Sequence, residues 1–584
     1  MLGTQVLRSL RLLVLIATPL AGIALGVVAL GAIGLAATAT RAGDSRADCA
    51  APLFMTRADI PGLGLADVRD DRIDVTVHGY ARAPVDCVTD ATVFEAASLT
   101  QPVVAYLVLR LVDRGQLDLD DPMIDLLPTL PLPTDDGRSA RVTVRMALAH
   151  MTGLEGPDDR PLVFASEPGA NFRYYPAGYR LVQRVVEHIE GATLEEIARR
   201  EVFGPLGMES SSLVFRADLL DRVATRHRML GDALERDRDP NRPANAAASL
   251  ITTPADYGRF LRATLKGEGL TTTSHHAMLK PQIQVPESGG RVAWGLGWGL
   301  EPQRGTFFHY GDDGSAKCFT IGSLNNDRAI VYFANSFYGM AIAGEIAERL
   351  IPGPSPAVEW LGYAAWDDPR RLARLNTIRA FVEGDADLGM ATFKRFGREY
   401  PDLDMDSLAN FVSWILDGRS KHEGRARVLA WQLERQPDNL GLMLERARSL
   451  QACGDSAGAI ETLRNAMQRA DEPAAERLGN QIRWIEDELK MIDPSRRPSP
   501  VAARALAGQF GERRISVESG VLWYQRADRP RYKLAWMHGT TYRFEGDDSF
   551  RIRFEVERGR ASKVVGLYAD GRTDESLRTG AANE

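Results

Sequence analysis

Apolar and polar residues follow four successive patterns along the chain. An uncharged run fills positions 12–40, with Arg8 and Arg11 on its N-terminal side. A membrane-spanning helix needs about 20 apolar residues, so this run is long enough. A mixed region follows. Positions 73–77 alternate and predict a half-buried strand, while 102–114 predict an apolar helix ending near Gly115. Positions 181–189 have helical spacing, and 329–333 predict a short apolar strand. Strands at both ends with helices between predict an α+β domain, one antiparallel sheet flanked by helices. From about 370 to 492 the spacing is helical throughout, with helices expected at 371–382, 388–398, 407–416 and 457–467, and another starting at Pro437-Asp438-Asn439. From about 501 the period becomes two. Phe550, Ile552, Phe554 and Val556 share one face, and Arg551, Arg553, Glu555 and Glu557 the other, which predicts a strand with one wet side. Strands at 521–525, 533–537 and 564–568 and a turn at Asp570-Gly571 complete a small all-β region.

Two proline-rich breaks, Pro352-Gly353-Pro354-Ser355-Pro356 and Pro494-Ser495-Arg496-Arg497-Pro498-Ser499-Pro500, divide these patterns. The expected organisation is 1–45 as cytoplasmic N-terminus and membrane anchor or signal segment, 46–352 as the α+β domain, 353–493 as the helical region and 500–584 as the antiparallel β domain. Two readings of 12–40 stand side by side. Ala37-Thr38-Ala39 resembles a signal-peptidase site, but a signal peptide's apolar core is about 7–15 residues, and this one is longer. An uncleaved anchor is favoured. Arg8 and Arg11 then hold the N-terminus in the cytoplasm and place the bulk of the chain outside the inner membrane.

Composition narrows the classes. The net charge is −7 with no basic block, which argues against a nucleic-acid partner. Of the four cysteines, Cys49, Cys87, Cys318 and Cys453, no two have Cys-x-x-Cys spacing, so neither a metal nor a cofactor is expected. Cys49 and Cys87 bracket an expected hairpin and are the disulfide candidates outside the cytoplasm. Four free, mostly buried thiols are the alternative.

Candidate chemistry rests on three stretches. The first is Phe94-Glu95-Ala96-Ala97-Ser98-Leu99-Thr100-Gln101-Pro102, the second Phe172-Arg173-Tyr174-Tyr175-Pro176-Ala177-Gly178-Tyr179, and the third His309-Tyr310-Gly311-Asp312. Between and around them lie Leu117-Asp118-Leu119-Asp120-Asp121-Pro122, His150-Met151-Thr152-Gly153-Leu154, Phe203-Gly204-Pro205-Leu206-Gly207-Met208 and Trp294-Gly295-Leu296-Gly297-Trp298-Gly299. In order and spacing the set resembles the serine β-lactamases and penicillin-binding proteins, in particular the class C β-lactamase-like serine hydrolases. The resemblance puts Ser98 at the nucleophile position, Tyr174 at the motif tyrosine and His309-Tyr310-Gly311 at the strand motif that reads His-x-Gly in many esterase-like members. Pro176 takes the place of an amide-bearing residue.

Gln101 departs from the pattern. A lysine belongs there, one turn after the serine and on the same helix face, to accept its proton. Glutamine cannot accept a proton in this pH range, and it removes a charge that would help Tyr174 ionise. By resemblance, Ser98 attacks an ester or amide carbonyl, Tyr174 carries the proton with His309 nearby, and Gln101 only orients Tyr174. The N–H groups of Ser98 and Asp312, with Gly311 and Tyr310 alongside, form the oxyanion and substrate site. The implied substrate is a small acyl ester, an amide or a D-amino-acid-containing compound. The alternative is a pseudoenzyme that binds a cell-wall fragment or a protein partner, with Tyr174 and His309 only packing the wall.

Two weaker resemblances lie downstream. Residues from Pro437 to Leu463 resemble one tetratricopeptide-type unit, a possible protein-binding surface, against the alternative of a plain helical spacer. Leu506-Ala507-Gly508-Gln509-Phe510 resembles the opening of the small lipocalin-like β module found after some β-lactamase-like domains.

Overall fold

Alternating apolar positions build a sheet around which the rest of the first region is arranged. The computed structural model describes residues 49, 51–133, 136–156, 162–234, 238–489 and 500–580. The run at 12–40 and most of the second proline-rich break lie outside them. Among the described residues no helix is long and apolar enough to cross a membrane. The sheet strands are β1 (Gly62–Arg69), β2 (Arg72–Arg82), β3 (Asp86–Cys87), β4 (Ile283–Gln284), β5 (Ala293–Trp294), β6 (Gly299–Glu301), β7 (Thr306–Asp313), β8 (Ala316–Ser323) and β9 (Arg328–Ala334). Their order is β4-β5-β6-β7-β8-β9-β1-β2-β3, with antiparallel neighbours. The first strands therefore pair with the last, as expected of an α+β domain with strands at both ends.

Both faces of the sheet are covered, so β8 is buried along its whole length. Phe307, Cys318 and Phe333 face one core, which contains the helices α1 (Thr100–Asp113), α2 (Ala177–Glu190) and α3 (Pro254–Lys266). Phe308, Phe319 and Tyr332 face the other core, under the helix Ala343–Leu350 and α4 (Pro356–Leu361). The apolar α1 is nearly all buried, and Pro102 falls in its first turn, where its missing N–H costs no helical bond. Helix α4 follows the first proline-rich break, yet it packs on this region. The fully buried Glu301 carboxylate accepts from Ser355 Oγ at 2.5 Å and from Ala357 N at 2.8 Å, fixing the start of α4 against the sheet.

The helical region follows from Pro369–Val382 to α5 (Glu472–Leu489). Five of its helices begin where a short polar side chain caps them: Asp368, Asp385, Asp404, Asn439 and Asp455 each accept from a backbone N–H of the first turn. The helices Leu440–Ala452 and Ser456–Met467 are joined by a turn in which Gly454 has φ 88°, open to glycine at little cost.

The C-terminal region is a closed antiparallel barrel of eight strands, from Gly508–Phe510 to Thr573–Gly580. Three details differ from the sequence expectation; the first is Val556, expected on the apolar face with Phe554, which is exposed where a bulge at Glu555/Val556 shifts the register. Residues Pro500–Leu506 form a helix rather than a strand, with Ala503 and Leu506 buried in the barrel core. Arg551, expected on a wet face, is buried: its guanidinium lies 3.5 Å from the Trp484 ring of α5 and donates to Trp484 O at 2.8 Å and to Glu488 at 2.6 Å. Period two shows that a face is polar, but not whether a neighbouring helix covers it.

Candidate active site

Ser98 stands in a 3-10 turn, Ala97–Leu99, that leads directly into α1. The two-residue strand Phe94–Glu95 before it pairs with Ile251–Thr252, and Ala96 N donates to Leu250 O at 2.8 Å. Ala97 has φ 44°, a left-handed backbone that an alanine adopts only when its surroundings force it. Thr100 fastens the turn: its Oγ donates to Ala97 O at 2.6 Å and accepts from Leu250 N at 2.9 Å.

Gln101 lies one turn on, fully buried and sharing Ser98's face of α1. Its Nε2 donates to Tyr174 Oη at 3.0 Å and to Ala247 O at 3.3 Å. Its Oε1 accepts from His150 Nε2 at 3.1 Å. These assignments are forced. A carbonyl only accepts, so the amide group facing Ala247 O is the amino group. Tyr175 N–H donates to His150 Nδ1 at 3.1 Å, so the neutral imidazole carries its proton on Nε2. Burial, with His309 adding to it, lowers the His150 pKa to about 3.

Tyr174 therefore receives a hydrogen bond from Gln101, and it is itself bonded to Ser98. Burial, then Tyr310, drives its pKa well above the ordinary phenol value, and the bonds from Ser98 and Gln101 do not reverse this. It keeps its proton, and its oxygen is hydrogen-bonded from both sides, by Gln101 Nε2 and by the Ser98 hydroxyl. The chain His150, Gln101, Tyr174 donates toward the serine, and the serine hydroxyl closes it on Tyr174 Oη.

The third stretch is the end of β7. A Cβ on Gly311 would lie 2.5 Å from Cys318 Sγ and 2.6 Å from Ala96 O, so only glycine lets the strand lie against the serine turn. His309 is fully buried, its ring 6.3 Å from that of Tyr174 and 5.5 Å from Trp294, and burial lowers its pKa to about 3. It is a neutral part of the wall. Tyr310 packs 5.4 Å from Tyr174 and 6.2 Å from Trp360 of α4. The register pairs Gly311 with Cys318 and Asp312 with Lys317. Side chains alternate along a strand, so Asp312 and Lys317 point to the face opposite Ala96. There the Asp312 carboxylate is ion-paired with Lys317 and accepts from Tyr363 Oη at 2.5 Å. Lys317 thus does not replace the missing motif lysine. Pro176 precedes α2 and offers no side-chain amide.

The structure brings Ser98, Gln101, Tyr174, Tyr310 and Gly311 together, with His309 behind them. The sequence reading treated His150 as framework only. Its role shows in the fold, in its left-handed φ of 56° and its bond to Gln101. Cys49 and Cys87 are disulfide-bonded with Cα atoms 5.3 Å apart, while Cys318 and Cys453 are free thiols. Among the described residues no group of three or more His, Cys, Asp or Glu is placed to hold a metal.

The family described as Beta-lactamase matches residues 50–351, which is more than half the chain. The chain belongs to the beta-lactamase family. Beta-lactamase relatives include "Penicillin-binding protein 4" of Amycolatopsis lactamdurans, 29% identical over 296 residues, which span 45% of this chain and 76% of that protein. "Protein Rv1367c" of Mycobacterium tuberculosis is 29% identical over 225 residues, 30% of this chain and 55% of its own length. "Esterase EstB" of Burkholderia gladioli is 33% identical over 155 residues, 21% of this chain and 39% of its own. The chain thus spans little more than half, or less, of two of these relatives. Among solved beta-lactamase-like structures, the hydrolase EstCE1 aligns with TM-score 0.45 and 19% identity over 51% of this chain and 95% of that one.

Proposed function

We propose that the protein is an extracytoplasmic serine hydrolase of esterase or peptidase type, with turnover slowed by Gln101. Ser98 Oγ adds to an ester or amide carbonyl, the alcohol or amine leaves with the proton given up by Ser98, and water releases the acid. The N–H groups of Ser98 and Asp312 hold the oxyanion. The observation that carries this reading is the closed chain from His150 through Gln101 and Tyr174 to Ser98, which orients the serine beside the aromatic rings of Tyr174, Tyr310 and Trp294. Relatives named as an esterase and as a penicillin-binding protein support small acyl esters, amides or D-amino-acid compounds as substrates. The apolar run at 12–40 and the Cys49–Cys87 disulfide support an anchored protein whose bulk lies outside the cytoplasm. The paired helices at 440–467 support a tetratricopeptide-like surface for a protein partner, and the closed barrel a lipocalin-like accessory module.

A second reading is favoured by the protonation of Tyr174. With Tyr174 held protonated by burial and Gln101 unable to accept a proton, the site binds acyl ligands without turning them over. Intact-mass measurement after treatment with a fluorophosphonate and with an activated ester separates the two. An adduct on the native protein that is absent from Ser98→Ala supports the hydrolase. An adduct only on Gln101→Lys supports the binding protein.

A further inference from the structure

The two strands of backbone that hold the implied oxyanion donors come from sequence positions more than 200 residues apart, and a single side chain joins them. Arg226 is buried beside the serine turn. Its Nε and Nη2 donate to the two carboxylate oxygens of Glu95 at 2.7 and 2.6 Å, a bidentate fork. Its Nη1 donates to Asp313 O at 2.7 Å and its Nη2 to Asp313 Oδ2 at 2.6 Å. Glu95 lies three residues before Ser98, and Asp313 directly follows Asp312. Between these anchors the two backbones are already in contact: Cys318 Sγ donates to Ala96 O at 3.0 Å, and Gly311 leaves no room for a Cβ.

We propose that Arg226 is a positioning residue that sets the separation of the Ser98 and Asp312 N–H groups. The inference rests on the reading of Ser98 as the acylated residue. A planar guanidinium fixes both partners at once, whereas an ammonium holds one point contact. A hole whose donors drift apart binds a developing oxyanion poorly, while the ground state binds much as before.

The test uses the whole chain with Arg226→Gln, Arg226→Lys and, as a destabilised control, Leu350→Ala in the core on the other face of the sheet. Two quantities are read below the melting temperature of every variant. One is the rate of fluorophosphonate labelling of Ser98. The other is hydrogen–deuterium exchange of peptides spanning 94–101 and 308–315. Expected is a labelling rate at least tenfold lower in Arg226→Gln, partly recovered in Arg226→Lys and unchanged in Leu350→Ala, with faster exchange in both peptides of Arg226→Gln together. Folded Arg226→Gln that labels at the native rate overturns the proposal. If the native chain gives no adduct, the reading of Ser98 as reactive falls. The crossbar is then judged by exchange alone, where faster exchange in both peptides supports it and unchanged exchange overturns it.

Discussion

Gln101 stands one turn after Ser98, at the place where the resemblance expects a lysine. Its amide is held from three sides, so restoring a lysine changes the chemistry more than the packing. Gln101→Lys is expected to raise the Ser98 labelling rate by about 10²–10⁴, the usual worth of a positioned proton acceptor, read by intact mass over time. Gly311→Ala is expected to cut labelling and lower the melting temperature together, because the new Cβ meets the backbone oxygen of Ala96. Two of the buried histidines, His150 and His309, make a pH prediction. Both are neutral in the folded protein, with pKa lowered by burial to about 3, whereas in the unfolded chain they ionise near about 6.5. The unfolded state then binds more protons between those values, so stability is fully present above about pH 6.5 and falls as the pH drops through that window. The loss approaches roughly 1 kcal/mol per histidine per pH unit once the pH is well below that value. Urea midpoints at pH 7 and pH 5 check it, and a midpoint that does not fall at pH 5 would contradict neutral burial. Ser98, Tyr174 and the β7 motif were legible in the sequence because their order and spacing are fixed by the chemistry. His150 was not, because its part depends on which atom of a distant side chain its Nε2 meets.

Among the elements, the caps and periods explain why so much of the secondary structure could be read. Helices predicted at 371–382 and 407–416 occur as Pro369–Val382 and Met405–Asp417, their starts set by Asp368 and Asp404. Asn439→Ala removes the side-chain oxygen that accepts from Leu442 N at 3.2 Å. It should cost about 1 kcal/mol in thermal or urea unfolding of the helical region. Contacts made at long range were illegible. Helix α4 follows a proline-rich break that reads as a linker, and its start is held by groups some 50 residues earlier, the buried carboxylate of Glu301 and the guanidinium of Arg304. Arg551 was misread for the same reason, since the helix that covers it lies 67 residues away along the chain.

For the molecule as a whole, Arg551 is one of the groups that tie the barrel to the helical region. Asn480 Nδ2 also donates to Gly571 O at 2.9 Å across this junction. Arg551→Ala removes a stacked cation and two hydrogen bonds. Faster proteolytic cleavage between the helical region and the barrel is expected, with Ser98 labelling unchanged. A loss of labelling would show that the barrel acts on the cleft.

The family match ends at residue 351, but the cleft wall does not. Trp360 lies against Tyr310, and Tyr363 bonds the carboxylate of Asp312. The heritable unit of this protein is thus longer than its recognisable one. A gene fusion or recombination event cut at the family boundary would transfer the whole signature and leave the buried carboxyl of Glu301 without two of its donors.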